Sequence, residues 1–214
     1  MQIKTRQRVR DLAEVYTHAR EVNAMLDLVP DMFPSQTDPT NTDRKFLEPA
    51  CGSGNFLEEI LRRKIAFTTF ERCRSIAIYE HRLLRALASI YAIDIDSANV
   101  VESKDRMRHV LQSHLGNDLK TKVPTPGFTH AVDAILETNI VLGNTLTDLG
   151  GIEWVDYRPG RNGTFTREWS TVHEDAAQLD LFAQRKVDEV AVHYSMLADH
   201  PEPVLATGTR RFDA

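Results

Sequence analysis

The stretch Glu48-Pro-Ala-Cys-Gly-Ser-Gly-Asn-Phe-Leu57 constrains this chain more than any other. Phe46-Leu47 before it reads as the end of a buried strand. Phe56-Leu57-Glu58-Glu59-Ile60-Leu61 after it opens a helix, with Phe56 and Ile60 on the apolar side and Leu57 and Leu61 as candidates to join them. Between them Gly52 and Gly54 bracket a tight turn. Glycine permits the dihedrals of such a turn and removes the Cβ atoms that would hold a ligand off the backbone. A strand-turn-helix of this kind aims backbone N–H groups and a helix N-terminus at one point. The run lacks the Lys-Ser/Thr of a phosphate loop and the third glycine of a dinucleotide loop. Its acidic residue at the strand end suits a ligand with a positive group, such as an amino acid ammonium.

These ten residues resemble the first motif of class I S-adenosylmethionine-dependent methyltransferases, in the form found in N6-adenine DNA methyltransferases of restriction-modification systems. The resemblance implies an α/β fold, with a Rossmann-like parallel sheet flanked by helices. It also implies that Glu48, Pro49, Ala50, Cys51, Gly52, Gly54, Asn55 and Phe56 line the site of S-adenosylmethionine.

Three further stretches extend it. Glu14 to Leu26 is similar to the family's N-terminal motif, in which a Thr caps a helix and touches the methionine part of the cofactor; Thr17 keeps the hydroxyl, while His18 stands where proline is usual. Ile90 to Asp96 reads as the second strand, returning beside the first through a right-handed crossover. By spacing, Asp94 would accept from both ribose hydroxyls and Ile95 would pack on the adenine, while Asp96 and Ser97 cap the next helix. Thr138 to Leu146 resembles the third motif, with Asn144 where the family has the Asp that accepts from the adenine amine.

The pattern then stops. The family's catalytic signature, Asn/Asp/Ser-Pro-Pro-Tyr/Phe, holds a flipped-out adenine, and no Pro-Pro occurs in this sequence. A fourth strand at 152–157 would put Asp156 and Tyr157 in its place as catalytic candidates, without the prolines that fix the loop. Arg161-Asn162-Gly163 and Thr164 to Trp169 read as a hairpin turn and a returning strand. A helix is expected from about Glu174 to Asp199, with Leu179, Phe182, Val190, Tyr194 and Leu197 as its apolar stripe. The cofactor-binding domain thus spans 1–157, and 158–214 carries the hairpin, the helix and a tail. The first strand would pair with the second on one side and with 152–157 on the other. The hairpin would cover that edge, bringing Trp154 near Trp169 and leaving Phe165 to mediate self-association.

The rest of the chain reads more simply. A helix is expected from Thr5 to Val29, a loop from Pro30 to Asp43, a helix from Glu71 to Ile90 and a loop from Gly116 to Thr129. A net charge of -5 excludes a chain that coats nucleic acid by bulk charge. Local basic faces exist at Lys4, Arg6, Arg8 and Arg10, and at Arg62, Arg63, Lys64, Arg72, Arg74, Arg82 and Arg85. Cys51 and Cys73 make neither a disulfide framework nor a metal site, which suits reduced thiols in a cytoplasmic protein; no membrane-length apolar run appears.

Gln178-Leu179-Asp180-Leu181-Phe182 is similar to the short peptide with which bacterial DNA polymerases dock on the sliding clamp. The resemblances lead to a cofactor-binding subunit of a DNA methyltransferase, reaching DNA through a partner chain that supplies specificity or acceptor residues. A non-catalytic regulatory or anti-restriction module stays open, and so does a clamp-docked accessory protein.

Overall fold

The computed structural model describes residues 17–119, 123–147, 151–171 and 186–206. Helix α1 (Ala19–Leu26) buries Val22 and Leu26. Strand β1 (Phe46–Glu48) then leads through the glycine turn into α2 (Asn55–Ile65), which buries Leu57, Ile60, Leu61 and Ile65. The expected 71–90 helix is two helices, α3 (Phe70–Cys73) and α4 (Ile76–Ala88), because Arg74 takes a left-handed conformation with φ 58° between them. Strand β2 (Ile90–Asp94) is buried throughout, as a strand covered on both faces must be. Helix α5 (Ser97–Leu119) runs past Gly116, so the loop expected from there starts later. Helix α6 (Pro126–Asn139) opens with Thr125 accepting from the Phe128 N–H and with proline in its first turn, and it leads into β3 (Ile140–Leu142).

The three strands form a parallel sheet in the order β1-β2-β3, with Phe46 opposite Ile90 and Ala92 opposite Ile140. Thus, among the described residues, β2 is central and the strand carrying the glycine turn is an edge, not the middle strand expected. A second sheet is antiparallel: β4 (Glu153–Pro159), β5 (Thr164–Thr171) and β6 (Val192–His193). The hairpin turn is where it was expected, with Asn162 at φ 53° and Gly163 at φ 77° both left-handed and the Arg161 carbonyl accepting from the Thr164 N–H.

Three expectations about this region fail. First, β4 pairs with β5 and not with β1. Second, Trp154 lies opposite Ser170, and Trp169 opposite Val155, so the two indoles point to opposite faces of the hairpin. Third, Phe165 is wholly buried, edge-on to Tyr157 and His81, and offers no docking surface. Of the expected C-terminal helix, residues 186–199 instead make β6 and a 3₁₀ turn (Tyr194–Met196), which seats Tyr194 and Leu197 in the core. Residues 174–185 of that expectation, with Leu179 and Phe182, lie outside the described residues.

Candidate functional site at the carboxyl end of the parallel sheet

The turn between β1 and α2 is built by its glycines and held by groups from β2 and α5. Gly52 (φ 55°) and Gly54 (φ 89°) are both left-handed, a conformation that costs other residues about 1–2 kcal/mol. Their surroundings differ. A Cβ on Gly54 would stand 2.9 Å from Ser103 Oγ and 3.0 Å from its Cα, so this glycine lets α5 close on the turn. A Cβ on Gly52 would meet nothing within 4 Å. The backbone there faces open space, beside the start of α2, whose first turn receives no side-chain cap.

Asp94 ends β2 and is 7% exposed. Its Oδ2 accepts from the Gly52 N–H at 2.7 Å, and its Oδ1 accepts from the Asp96 N–H at 2.9 Å and Asn99 Nδ2 at 3.1 Å. A carboxylate offers about four acceptor positions, so roughly one is left for a ligand. The sequence reading of Asp94 as a two-hydroxyl acceptor therefore needs correction: its first task is to clasp the glycine turn to β2.

Helix α5 supplies the rest of the frame. Asn99, Ser103 and Arg106 follow one another at spacings of four and three, which places them on one helical face. Asn99 binds Asp94, and Ser103 Oγ donates to the Gly52 carbonyl at 3.0 Å. Arg106 donates to Asn55 Oδ1 at 2.8 Å, and Asn55 Nδ2 in turn donates to the Thr17 carbonyl at 3.1 Å. Sequence reasoning missed these three residues. The signal was available, as two buried polar residues in register on an otherwise amphipathic helix.

Thr17 is therefore brought to the motif, but His18 and not Thr17 occupies the cap position of α1. Glu48 is half-buried and accepts from the Ala50 N–H at 3.3 Å; burial raises its carboxyl pKa above the ordinary value, and the Ala50 bond partly offsets this. Pro49 and Ala50 are exposed in the turn, and Phe56 is half-buried at the start of α2. Cys51 is buried, its thiol 3.7 Å from Ser103 Oγ; burial pushes it up to about 12, so it is a packing group and not a nucleophile. Ile95 (58%) and Leu142 (57%) are exposed apolar side chains at the same sheet end. Asn144 Oδ1 accepts from the Leu146 N–H at 2.9 Å, which leaves one lone pair of that oxygen.

The remaining candidates fall elsewhere. Asp156 and Tyr157 are neighbours on β4 and point to opposite faces. The Tyr157 hydroxyl is 2.9 Å from Thr138 Oγ1 in the core, while Asp156 pairs with Lys45 at 2.8 Å. They do not converge on one acceptor. Of the basic residues singled out in the sequence, Arg62 binds Glu58, Arg63 binds Asp27 and Glu59, Arg85 binds Asp43, and Lys64 is buried, while Arg72 and Arg74 are exposed. Lys4, Arg6, Arg8 and Arg10 lie outside the described residues, as does the segment Gln178 to Phe182. No family model, no curated protein and no solved structure matches this chain.

Proposed function

We propose that the chain binds S-adenosylmethionine in the crevice over Gly52, as the cofactor-binding subunit of a DNA methyltransferase acting on adenine. One observation carries the reading: a left-handed glycine with open space above it, at the carboxyl end of a parallel sheet and beside an uncapped helix start. Ligands of open α/β sheets bind at such strand ends.

The residues present fit the group. The bare backbone of Gly52 admits the methionine part, and the Glu48 carboxylate suits its ammonium. Asp94 keeps about one acceptor position for the ribose. Ile95 offers an apolar face to the adenine, and Asn144 one lone pair to its amine. The cofactor supplies an activated methyl group on sulfur. The chain's own work is to bind and orient it, with Asn99, Ser103 and Arg106 stiffening the wall.

Transfer to adenine needs a second set of residues to hold the acceptor, and Asp156 and Tyr157 facing apart favours its supply by a partner chain. The same observation favours a non-catalytic binding module as the second reading. Among the described residues no helix is long and apolar enough to cross a membrane.

Equilibrium dialysis against tritiated S-adenosylmethionine tests the binding. About one equivalent retained at micromolar ligand supports it, and no retention at millimolar ligand sinks it. Methyl transfer to duplex DNA by the purified chain alone should stay at background; robust adenine labelling would overturn the need for a partner.

A further inference from the structure

Helix α4 meets the second sheet through two adjacent buried titratable residues, Glu80 and His81, which take no part in the site over Gly52. Glu80 accepts from the Thr125 N–H at 2.6 Å, from Thr125 Oγ1 at 2.7 Å and from the Tyr194 hydroxyl at 2.6 Å. It thereby ties α4 to the start of α6 and to the 3₁₀ turn. His81 reaches the hairpin: its Nε2 lies 3.2 Å from the Thr164 carbonyl. A carbonyl only accepts, so Nε2 carries the hydrogen and the neutral ring leaves Nδ1 bare. Among the described residues Nδ1 has no hydrogen-bond partner.

Aromatic rings crowd this imidazole. Phe165 lies edge-on to it with centroids 4.8 Å apart, and Tyr194 is stacked on it at 6.5 Å. The same Tyr194 ring has a second imidazole against it, that of His193, at 4.5 Å. His193 ends β6 and pairs with Thr164 of β5. Two histidines, one from α4 and one from β6, thus meet where the hairpin turn is seated.

The groups around His81 oppose a second ring proton. Burial holds its pKa below the ordinary value near 6.5, and Arg85 on the same helix and His193 on β6 act the same way. The Thr164 carbonyl and Asp43, in the loop before β1, act in the other direction. Asp43 already accepts from Arg85 Nε at 3.0 Å. From the other elements come only neutral rings, Tyr194 on the 3₁₀ turn and Tyr157 of β4 behind Phe165.

We propose that His81 is an acid-sensitive latch: beside the Glu80 anchor it seats the hairpin turn and Tyr194 on α4 when neutral, and lets them open when it takes a second ring proton. The opened chain holds that proton up to about the ordinary value near 6.5. Opening therefore becomes easier as pH falls below that value and gains nothing above it. The open form uncovers Phe165, which is wholly buried in the closed one.

Hydrogen exchange reads the latch one amide at a time. The Tyr194 N–H, bonded to the Gly163 carbonyl, and the Gly160 N–H, bonded to the Thr164 carbonyl, report opening. The Cys51 N–H, bonded to the Ile93 carbonyl of the first sheet, is the control. Expressed as protection factors, the first two should fall several-fold from about pH 7 to about pH 5, and the third should hold. His81→Gln keeps a donor for the Thr164 carbonyl and does not titrate, so the fall should vanish in it. An NMR titration of the wild-type chain needs no variant, and the His81 ring should titrate with a midpoint below the ordinary 6.5. An equal fall at all three amides, no fall at Tyr194 and Gly160, or the same fall in His81→Gln would each overturn the proposal. So would a His81 midpoint at or above the ordinary value.

Discussion

Asp94 and Lys64 show how much a single side chain can carry in this protein. Because Asp94 satisfies two backbone N–H groups and Asn99, Asp94→Ala should cost roughly 2–4 kcal/mol of stability in a urea titration besides weakening cofactor binding. Ile95→Ser should weaken binding with stability unchanged, since Ile95 is exposed. Equal stability of Asp94→Ala and wild type would remove the clasp. Lys64 is wholly buried and donates to the Thr42 and Arg44 carbonyls, tying down the loop before β1. Burial pushes its ammonium down to about 7, with Asp43 acting weakly in the other direction. The unfolded chain keeps that proton up to its ordinary value near 10.5, so between these values it binds more protons than the folded chain. Stability from this group must then rise with pH above 7. Cys51, raised to about 12 by burial, works the opposite way above about pH 9, because the unfolded thiol ionises first. Urea midpoints should therefore climb from pH 7 to 9 and level or fall beyond. Lys64→Met should flatten the climb, and a wild-type midpoint independent of pH over that window would contradict the assignment.

At the scale of elements, the two glycines of the turn make a paired test. Gly54→Ala must adopt φ 89° and push into Ser103, and should cost about 2–4 kcal/mol. Gly52→Ala meets nothing and should cost about 1 kcal/mol. Thermal melts of the two variants check the order, and the reverse order would contradict the assignment. The turn was legible in sequence because its residue types are dictated by backbone geometry. The strands Ile90 to Asp94 and Ile140 to Leu142 were legible because short apolar runs ended in polar residues. The break at Arg74 was not, since neither glycine nor proline marks it. The false helix over 186–199 has a plain cause. Val190, Tyr194 and Leu197 recur at spacings of four and three, but the chain buries Tyr194 and Leu197 from an irregular path against the second sheet, with Asp188 held by the buried Arg167. Periodicity records which residues are buried, not what backbone delivers them.

Strand order is a property of the whole molecule, and local pattern did not fix it. The crossovers after β1 and β2 each lay the next strand alongside the last, so β1 stays at an edge among the described residues. Alternation along the hairpin did show which residues share a face, but the register that separates Trp154 from Trp169 depends on the turn. Phe165→Lys, with its ring in the core between Tyr157 and His81, should unfold the second sheet, or cost more than about 3 kcal/mol. A folded variant with altered association would instead restore a docking role. The open space over Gly52 is where S-adenosylmethionine is proposed to bind. The most direct measurement is calorimetry of the cofactor against wild type and against Gly52→Ala, with both confirmed folded by their melts. Wild type should bind with micromolar affinity and the variant at least tenfold more weakly, since the added methyl group would project into the ligand's space. Equal affinity for the two proteins, or no heat with wild type, would contradict it.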